Sequence, residues 1–474
     1  MTEAHWQESR NIVERIVVSG DLVLETPACF GSGEGDSLTD MSLMLDPLEG
    51  YGLLTGTSIA GALRAYLRQR EFNYRSKGNS RALHNLLFGL QDGDEGEQSW
   101  LITYDALSEK LPQVELRDGV ALDPKTRIAE DRKKFDFELL EAGTRFPVRV
   151  ELLIPQEEQE EKGHLIQGLA IALQGLERGE IALGARKRRG FGQCCVSEWR
   201  ILRYDLTTTD GLLSWIEQGG TEQTGPHIAD LLDVQADLDR REFFVIDALF
   251  SLEGSLLIRS GQGEADEPDT IHLRSRRGDE FKPILSGTSL AGTLRGRALR
   301  IAQTLGERAN AERLINDLFG LYIRSAQDEP TASPLITAET EIISPLELVQ
   351  NRVKIDRFTG GSFPTALFNE QPVWGKRDTT VSIKITIQQP NPAQIGLLLL
   401  LLKDLWSGDL PLGGEISVGR GRLAGKNATL TYKGNGENNL QHWTITQDGE
   451  KLQVEGDQKI LEGFVTAFVE EVWQ

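Results

Sequence analysis

The alternation of apolar and polar positions predicts a long strand near the start of each half of the chain. The stretches "NIVERIVVSGDLVLET" and "FFVIDALFSLEGSLLIRSG" place apolar side chains at nearly every second residue, a period typical of half-buried strands. In both halves a polar, glycine-containing loop follows, and a short strand then leads into an amphipathic helix. Two further strands, "FPVRVELLI" and "TVSIKITIQ", each precede a helix, around 165–178 and 392–406. The same order of elements is therefore predicted twice.

Short motifs repeat in the same order within this pattern. "LLTGTSIAGALRAYL" in the first half returns as "ILSGTSLAGTLRGRAL" in the second, and "LLFGL" returns as "DLFGL". A glycine-rich stretch, "GEIALGARKRRGFG", corresponds to "GDLPLGGEISVGRGRLAG". Because these motifs keep their order at a nearly constant offset, we conclude that the chain contains a duplicated domain.

The order strand–helix–strand–strand–helix–strand predicts an α+β fold made of two ferredoxin-like, or RRM-like, domains in tandem. We place the first domain at 1–205 and the second at 241–430. Residues 206–240 are predicted to link them, and residues 431–474 to form a C-terminal extension. Each domain contains a long polar insertion between its first helix and its next clear strand.

Composition limits the classes of function. A formal net charge of −21 argues against a free, nonspecific nucleic-acid binder, yet the cation clusters at 185–192 and 274–277 predict local basic surfaces. Three cysteines, two of them adjacent, make neither a disulfide framework nor a metal cluster. No apolar stretch reaches the roughly 18 residues of a membrane span, and the N-terminus has no signal-peptide layout. We therefore expect a cytoplasmic protein that does not associate with membranes.

The repeated motifs resemble those of the RAMP superfamily of CRISPR-associated proteins. The resemblance rests on Gly-Thr-Ser followed by "xxGxLR", then "LFG", then a glycine-rich loop, and it covers roughly residues 12–200 and 242–428. It implies RRM-like domains with inserted thumb-like β-elements, which 107–143 and 344–374 match. Within the superfamily, the tandem arrangement is similar to the fused backbone subunits of type III-D effector complexes, which polymerise along a CRISPR RNA. The implied partners are CRISPR RNA, complementary target RNA and other effector subunits.

The resemblance also implies target-RNA cleavage by an aspartate in the loop before each Gly-Thr-Ser turn. Asp40 occupies that loop in the first domain and Asp269 in the second. A carboxylate can hold a divalent metal ion, Mg²⁺ or Mn²⁺, against a phosphate, or orient the attacking 2′-hydroxyl. No organic cofactor is expected. The other candidates for the same role are Asp36, Asp46, Asp266, Glu264 and His272. Aspartates beside glycines are also ordinary turn formers.

Two kinds of segment are predicted to bind the RNA backbone. Ser58 and Ser289 are placed as helix N-caps, where small side chains and the helix dipole favour phosphate. The glycine-rich loops carry cations, and in the first loop an aromatic ring that is suited to stacking on a base. The predicted RNA-binding residues are Gly56, Thr57, Ser58, Arg64, Arg186, Lys187, Arg188, Arg189, Phe191, Gly287, Thr288, Ser289, Arg295, Arg420 and Arg422.

Three hypotheses of function remain from the sequence. The first is a type III backbone subunit that cleaves target RNA as part of a complex. The second keeps the architecture without catalysis, as a structural subunit that binds the guide. The third is a CRISPR RNA-processing endoribonuclease, an activity that typically uses a histidine, for which the candidates are His84 and His272.

Overall fold

The computed structural model describes residues 11–32, 41–74, 82–92, 95–96, 98–122, 129–260, 268–278, 280–321, 331–435, 439–449 and 451–473. They form two units of the same design, here called the first unit (up to residue 240) and the second unit (from residue 241). In each unit an antiparallel sheet has helices packed on one side of it.

The first unit begins with a long strand whose apolar side chains alternate, as the sequence predicts. Its strands are β1 Ile12–Leu24, β2 Leu53–Leu54, β3 Gln91–Asp92, β4 Glu95–Gly96, β5 Leu101–Thr103, β6 Ala106–Leu107, β7 Val114–Leu122, β8 Ala129–Leu140, β9 Arg145–Pro155, β10 Cys194–Asp205 and β11 Gln223–Gly225. Its helices are α1 Gly56–Phe72, α2 Leu83–Phe88, α3 Lys162–Glu177, α4 Thr209–Ile216 and α5 Ile228–Leu232, with 3-10 turns at Gln156–Glu158 and Lys187–Arg189.

The main sheet of the first unit has the order β11-β10-β1-β9-β5. β1 is antiparallel to both β9 and β10, so the order β10-β1-β9-β5 is that of a ferredoxin-like unit. Ile16, Val18 and Leu22 of β1 are buried against α1 and α3 in one apolar core. The expected α+β class follows from this sheet and its helices.

The second unit repeats the arrangement. Its strands are β12 Phe243–Glu253, β13 Ser255–Leu256, β14 Thr270–Ile271, β15 Arg274–Arg277, β16 Glu280–Leu285, β17 Leu335–Thr337, β18 Thr340–Ile343, β19 Leu346–Glu347, β20 Gln350–Ile355, β21 Ser362–Gln371, β22 Val373–Trp374, β23 Thr380–Gln388, β24 Arg422–Lys433, β25 Leu440–Asp448 and β26 Lys451–Glu455. Its helices are α6 Gly287–Leu305, α7 Arg308–Phe319, α8 Pro392–Trp406 and α9 Gln458–Trp473, with a 3-10 turn at Ile416–Val418.

The second sheet runs β15-β16-β18-β23-β12-β24-β25-β26, and β17 also pairs with β23. Helix α8 begins with a capping box between Asn391 and Gln394 and has Pro392 in its first turn, two features that fix a helix start. Its leucine run is buried in the core. No helix in the described part of the chain is long and apolar enough to cross a membrane.

Both insertions form antiparallel hairpins. In the first unit β7 pairs with β8, and in the second β20 pairs with β21. These are the thumb-like β-elements that the sequence predicts.

The segments outside the two repeats extend the units. Within 206–240, β11 adds a strand beside β10, and Ile228, Leu232 and Ala236 join the core of the first unit. Within 431–474, β25 and β26 widen the second sheet, while Phe468 of α9 enters the core of the second unit. Both segments are therefore integral to the unit that precedes them.

Candidate nucleic-acid interface

The Gly-Thr-Ser turns open α1 and α6, but the capping residues lie earlier than the sequence suggests. The N-cap of α1 is Thr55, whose Oγ1 accepts a hydrogen bond from Ser58 N at 3.3 Å. The N-cap of α6 is Ser286. Ser58 and Ser289 lie within the first helical turn, so the prediction that they are N-caps is wrong. Thr57, Ser58 and Thr288 are exposed.

The glycine of each turn is needed for close packing against protein. A Cβ placed on Gly56 would lie 2.2 Å from the Thr103 carbonyl oxygen, and one on Gly287 would lie 2.3 Å from that of Arg189. Moreover, Gly56 N donates to Asp105 Oδ1 at 2.6 Å. A carboxylate therefore already lies at the N-terminus of α1, which is the positive end of the helix dipole. Gly56 thus seats α1 against the end of β5, and Gly287 seats α6 against the first glycine-rich loop and the end of β17.

The arginine of each "xxGxLR" motif donates a hydrogen bond to the carbonyl oxygen of the "LFG" glycine. Arg64 Nη2 donates to Gly89 O at 3.0 Å and to Asn85 Oδ1 at 3.1 Å. In the second unit Arg295 donates to Gly320 O and Asn316 Oδ1, both at 2.9 Å. Because each guanidinium binds carbonyls at a helix C-terminus, where cations are favoured, the primary role of both arginines is to join two helices. This role differs from the phosphate contact expected of them.

The sequence carries a signal for this contact. "NLLFG" and "NDLFG" share an asparagine four residues before the glycine, at the offset that relates the two arginines. A polar residue repeated at the same position of both helices is consistent with a partner inside the fold. Asn85 and Asn316 are these residues.

The two glycine-rich loops have nearly the same backbone. Gly184, Gly190 and Gly192 have φ of +84°, +86° and +71°, and their counterparts Gly413, Gly419 and Gly421 have +75°, +87° and +81°. These left-handed conformations favour glycine over any residue with a Cβ. The duplicated glycines therefore preserve the shape of the loop, whatever side chains it carries.

The first glycine-rich loop is docked on the second unit, at a contact that we call the junction. A Cβ placed on Gly190 would lie 2.3 Å from Glu339 N. Thr337 Oγ1 donates to Gly287 O at 2.9 Å and lies 3.5 Å from Arg188 O. The loop is thus wedged between the start of α6 and the end of β17.

Four consecutive cations line the loop at the junction, and we call them the arginine cradle: Arg186, Lys187, Arg188 and Arg189. No described acidic side chain forms an ion pair with any of them. The Nη1 atoms of Arg188 and Arg189 are buried without a hydrogen-bond partner. Since buried polar groups are normally paired, the cradle has donors that an added anion would satisfy.

The electrostatics of the cradle are unusual in so acidic a chain. Burial lowers the pKa of Arg186, Arg188 and Arg189 from its ordinary value, and Arg295, Arg188 and Arg186 lower that of Arg189 further. An arginine stays charged under such conditions, so the cradle concentrates positive charge. The planar guanidinium groups of such a cluster attract a polyanion whose groups accept two hydrogen bonds at once, such as phosphates.

Phe191 does not stack on a base in this structure. Its ring is 1% exposed and packs edge-to-face on Phe137 at 5.7 Å. The Arg186 guanidinium lies over Phe135 at 4.4 Å and over Phe137 at 4.6 Å, which is cation–π geometry. The prediction of base stacking by Phe191 is wrong, because this ring anchors the loop to the β7–β8 hairpin.

The second glycine-rich loop has lost the cradle. Glu415 corresponds to Arg186, and Ile416, Ser417 and Val418 stand where the first loop has Lys187, Arg188 and Arg189. Arg420, the counterpart of Phe191, is 2% exposed and pairs with Glu370 at 2.8 Å and with Glu415 at 3.0 Å.

Buried ion pairs thus anchor this loop to its hairpin where the first unit uses aromatic rings. The prediction that Arg420 contacts RNA is wrong, because its side chain is enclosed. Arg422 is exposed at the start of β24.

Buried charges reinforce the junction beside the cradle. Arg117 of β7 donates to Glu339 at 2.8 and 3.2 Å, and Arg277 Nη2 lies 2.8 Å from Glu339 Oε1. Burial would raise the pKa of Glu339, but Arg117 and Arg277 outweigh it and hold the pKa below its ordinary value. Arg117 and Glu339 are 222 residues apart in the chain, so no local pattern in the sequence identifies them as partners.

Of the two predicted catalytic aspartates, the structure describes Asp269. Asp40 lies outside the described residues, as do Asp36, Glu264 and Asp266. Asp269 is exposed, its Oδ2 accepts from Asn369 N at 2.9 Å, and its own N–H donates to Asn369 Oδ1 at 3.1 Å. Among the described residues no group of three or more His, Cys, Asp or Glu side chains is placed to hold a metal ion. Asp269 is therefore a single loop carboxylate braced against β21.

The two candidate histidines are enclosed. His272 is 2% exposed, its Nδ1 accepts from Ile258 N at 3.2 Å, and its Nε2 donates to Ile284 O at 2.9 Å. His84 is also 2% exposed, with Nδ1 2.7 Å from Glu71 Oε2. A base for RNA processing must reach the 2′-hydroxyl, so this geometry disfavours the processing hypothesis.

The enclosure of His272 predicts a pH effect on stability. Burial lowers its pKa to about 4, well below the value of about 6.5 for an exposed histidine, so the unfolded chain binds a proton below about pH 6.5 that the folded chain excludes. Linkage then lowers the free energy of unfolding by about 2 kcal/mol between about pH 7.5 and pH 5. The free energy of unfolding of His272→Asn, measured with urea at both pH values, should therefore fall by about 2 kcal/mol less than that of the unsubstituted protein. An identical pH dependence in both proteins would contradict the assignment.

Two tandem ferredoxin-like units that are joined at a basic loop define a protein of the α+β class with a candidate anion-binding site at the junction. The family model of the RAMP superfamily matches residues 21–195 and 250–424, and the chain belongs to that superfamily. Membership indicates a CRISPR-associated RNA-binding subunit. A search of curated proteins found no match. The predictions of the superfamily and of two tandem α+β domains are confirmed.

Proposed function

We propose that this chain is a backbone subunit of a type III CRISPR effector complex that binds CRISPR RNA and cleaves the paired target RNA. The observation that carries the RNA-binding part is the arginine cradle, a row of cations that no described acidic side chain pairs with, in a chain of net charge −21. Phosphate oxygens would satisfy the buried Nη1 donors of Arg188 and Arg189. Superfamily membership supports RNA as the source of these phosphates.

Cleavage is assigned to Asp40 and Asp269 through their place in the loops before the Gly-Thr-Ser turns. Mg²⁺ is usually bound by one or two carboxylates together with substrate phosphates and water, so one loop carboxylate per unit is compatible with a bound metal ion. Mg²⁺ or Mn²⁺ held by Asp40 or Asp269 would supply charge neutralisation at the phosphate. The other effector subunits and the cytoplasm remain the expected partners and location.

A structural subunit without catalysis is the second candidate. The reciprocal hydrogen bonds between Asp269 and Asn369 favour it for the second unit, because they give Asp269 the role of a turn former. The cleavage experiment at the end of the Discussion separates the two candidates.

The test of RNA binding is a substitution in the cradle. We expect Arg188→Ala/Arg189→Ala to weaken binding of a single-stranded RNA by about 10- to 100-fold, since each lost charge-assisted contact costs about 1.5 kcal/mol. The slope of log K against log salt should fall by about 0.7 per phosphate contact removed. Fluorescence anisotropy across a salt series measures both quantities.

The matched control is Arg308→Ala/Arg313→Ala, which removes the same charge from α7. Both arginines are more than half exposed and pair with Glu312 and Glu471. This variant should bind RNA nearly as the unsubstituted chain does. An equal loss of RNA affinity in both variants would mean that only the overall charge matters and not the position of the cradle. An unchanged RNA affinity in the cradle variant would overturn the proposed site.

A further inference from the structure

The apolar run "IGLLLLLLKDLW", which is too short for a membrane span, forms most of α8. A helix that is apolar on nearly all sides is normally covered all round. Most side chains of α8 are indeed buried in the core of the second unit, but Leu399 and Leu400 are only half-buried. One face of this helix is therefore left partly open among the described residues.

A groove with a volume of about 460 Å³ lies along this face, and we call it the α8–α9 groove. Leu399, Leu402 and Trp406 of α8 form one wall, and Leu461 and Val465 of α9 form the other. Side chains three or four residues apart lie on the same face of a helix, so each wall is a continuous apolar stripe. The volume is that of a cleft able to bind a ligand, about 300–1,000 Å³.

The α8–α9 groove is built largely by the C-terminal segment, beyond the second match to the RAMP model, which ends at residue 424. Ile445 of β25 and Leu452 of β26 complete its apolar lining. Leu452 is 50% exposed although it is apolar. The groove is thus a feature of the segment that this chain adds to its two repeats.

The walls of the groove are held in place before any ligand binds. A Cβ placed on Gly396 of α8 would lie 2.1 Å from the Phe464 carbonyl oxygen of α9, so the two helices are in direct contact. Trp406 Nε1 donates to Gln447 Oε1 at 2.7 Å, which fixes the indole ring against β25. A preformed cleft loses little conformational entropy when a partner binds.

The polar groups at the groove are few, and they are of opposite sign. Lys403 of α8 has 64% of its side chain exposed, and Glu462 of α9 is exposed. Thr466 Oγ1 already donates to Glu462 O at 3.0 Å. A polyanion would meet one cation, one carboxylate and an apolar surface here, so RNA does not fit this site. A protein helix with an apolar stripe, one acidic and one basic side chain does.

We propose that the α8–α9 groove binds an amphipathic helix of a different protein. The helix lays apolar side chains spaced three and four residues apart between the two walls, the usual way in which a helix occupies an apolar groove. An acidic side chain of the partner faces Lys403 and a basic one faces Glu462. The proposal does not rest on the proposed RNA binding, because no residue of the cradle lines the groove.

The proposal is tested by selecting displayed peptides on the intact chain. A random library of peptides of about 16 residues, enough for four helical turns, is enriched on the immobilised protein, and the best peptide is synthesised with a fluorescent label. We expect the enriched sequences to share apolar residues at helical spacing, flanked by one acidic and one basic residue. Fluorescence anisotropy then gives the affinity of the labelled peptide for each variant.

One substitution on each wall locates the peptide. Leu399→Gln and Val465→Gln should each weaken its binding by at least about 10-fold, because the amide would be buried without a hydrogen-bond partner. The matched control is Leu305→Gln, the same change at a residue of α6 that is 37% exposed and lies outside the groove. Far-UV spectra and urea unfolding show that the variants are folded.

The charges at the groove give a second reading that does not depend on packing. Lys403→Glu should weaken the peptide by about 2- to 5-fold, as expected for an exposed ion pair. Replacing the acidic residue of the peptide by lysine should restore the affinity for this variant. Failure of this charge exchange in every enriched peptide would contradict the assigned orientation.

Several results would overturn the proposal. They are a library that enriches nothing above background, enriched peptides without helical spacing, and binding that survives both Leu399→Gln and Val465→Gln. Two other occupants are also separated. Self-association in sedimentation velocity that the peptide reverses would assign the groove to a second copy, and displacement of the peptide by dodecanoate at micromolar concentration would assign it to an acyl chain. A short RNA should bind equally well with and without saturating peptide.

Discussion

Replacing Glu339 by alanine is expected to destabilise the protein by about 3–5 kcal/mol, the usual cost of removing one partner from a buried ion pair. The carboxylate has no exposed side-chain surface and binds two guanidinium groups, Arg117 of the first unit and Arg277 of the second. Without it, Glu115 is the one described acidic side chain that still pairs with Arg117. Because the lost contact crosses the junction, urea unfolding should also separate into two transitions, one for each unit.

The matched control is Glu312→Ala, which breaks the exposed pair between Arg308 and Glu312 on α7. An exposed pair is worth about 0–1 kcal/mol, so this variant should unfold close to the unsubstituted protein. The double variant Arg117→Ala/Glu339→Ala should lose less than the sum of the single changes, because the contact between these two residues is lost only once. Strict additivity, or a loss at Glu339 no larger than at Glu312, would contradict the role assigned to the junction.

Acid should weaken the same contact. The folded-state pKa of Glu339 lies below its ordinary value, so the carboxylate contributes stability above the unfolded-state pKa and loses it as the pH falls through the folded-state value. The comparison of Glu339→Ala with the control should therefore be made near neutral pH, where the whole contribution is present.

The duplicated architecture could be predicted because its signals are local and repeated. Alternation along β1 and β12 and the "GTS" and "LFG" motifs depend on neighbouring residues, so periodicity reveals them. The repeated glycines of the two loops also indicate a shared backbone shape, since left-handed conformations recur at Gly190 and Gly419.

The partners of individual side chains could not be predicted in the same way. Phe191 and Arg420 occupy equivalent positions, and each reads as a surface group in a basic, glycine-rich loop. Both are buried, because each loop folds back onto the hairpin of its own unit and needs an anchor there. That contact joins residues far apart in the chain, so no local pattern carries it. Likewise, the four cations of the cradle were visible in the sequence, but their position at the junction was not.

Replacing a loop aspartate is expected to have the largest effect on target-RNA cleavage. In the assembled complex, Asp40→Ala should slow one cut in the target RNA by about 100-fold or more, the usual contribution of a positioned acid–base group, while RNA binding is unchanged. Asp46→Ala is the matched control in the same loop, because Asp46 Oδ2 accepts from Leu48 N and Glu49 N at 3.2 and 2.8 Å and so acts as a turn former. End-labelled target RNA resolves each cut separately. An intact set of cuts in Asp40→Ala would refute its catalytic role.

In the second unit, two substitutions of Asp269 can distinguish a catalytic role of this residue from a structural one. Asp269→Asn keeps an oxygen that can accept the Asn369 N–H bond seen at 2.9 Å but removes the carboxylate charge, whereas Asp269→Ala removes both. If Asp269 cleaves RNA, both variants should lose the same cut, because an amide neither binds a divalent cation strongly nor accepts a proton. If Asp269 only braces the turn, Asp269→Asn should cut normally, and any loss should be confined to Asp269→Ala. The second outcome would make this unit a structural one and leave Asp40 as the cleaving residue of the pair.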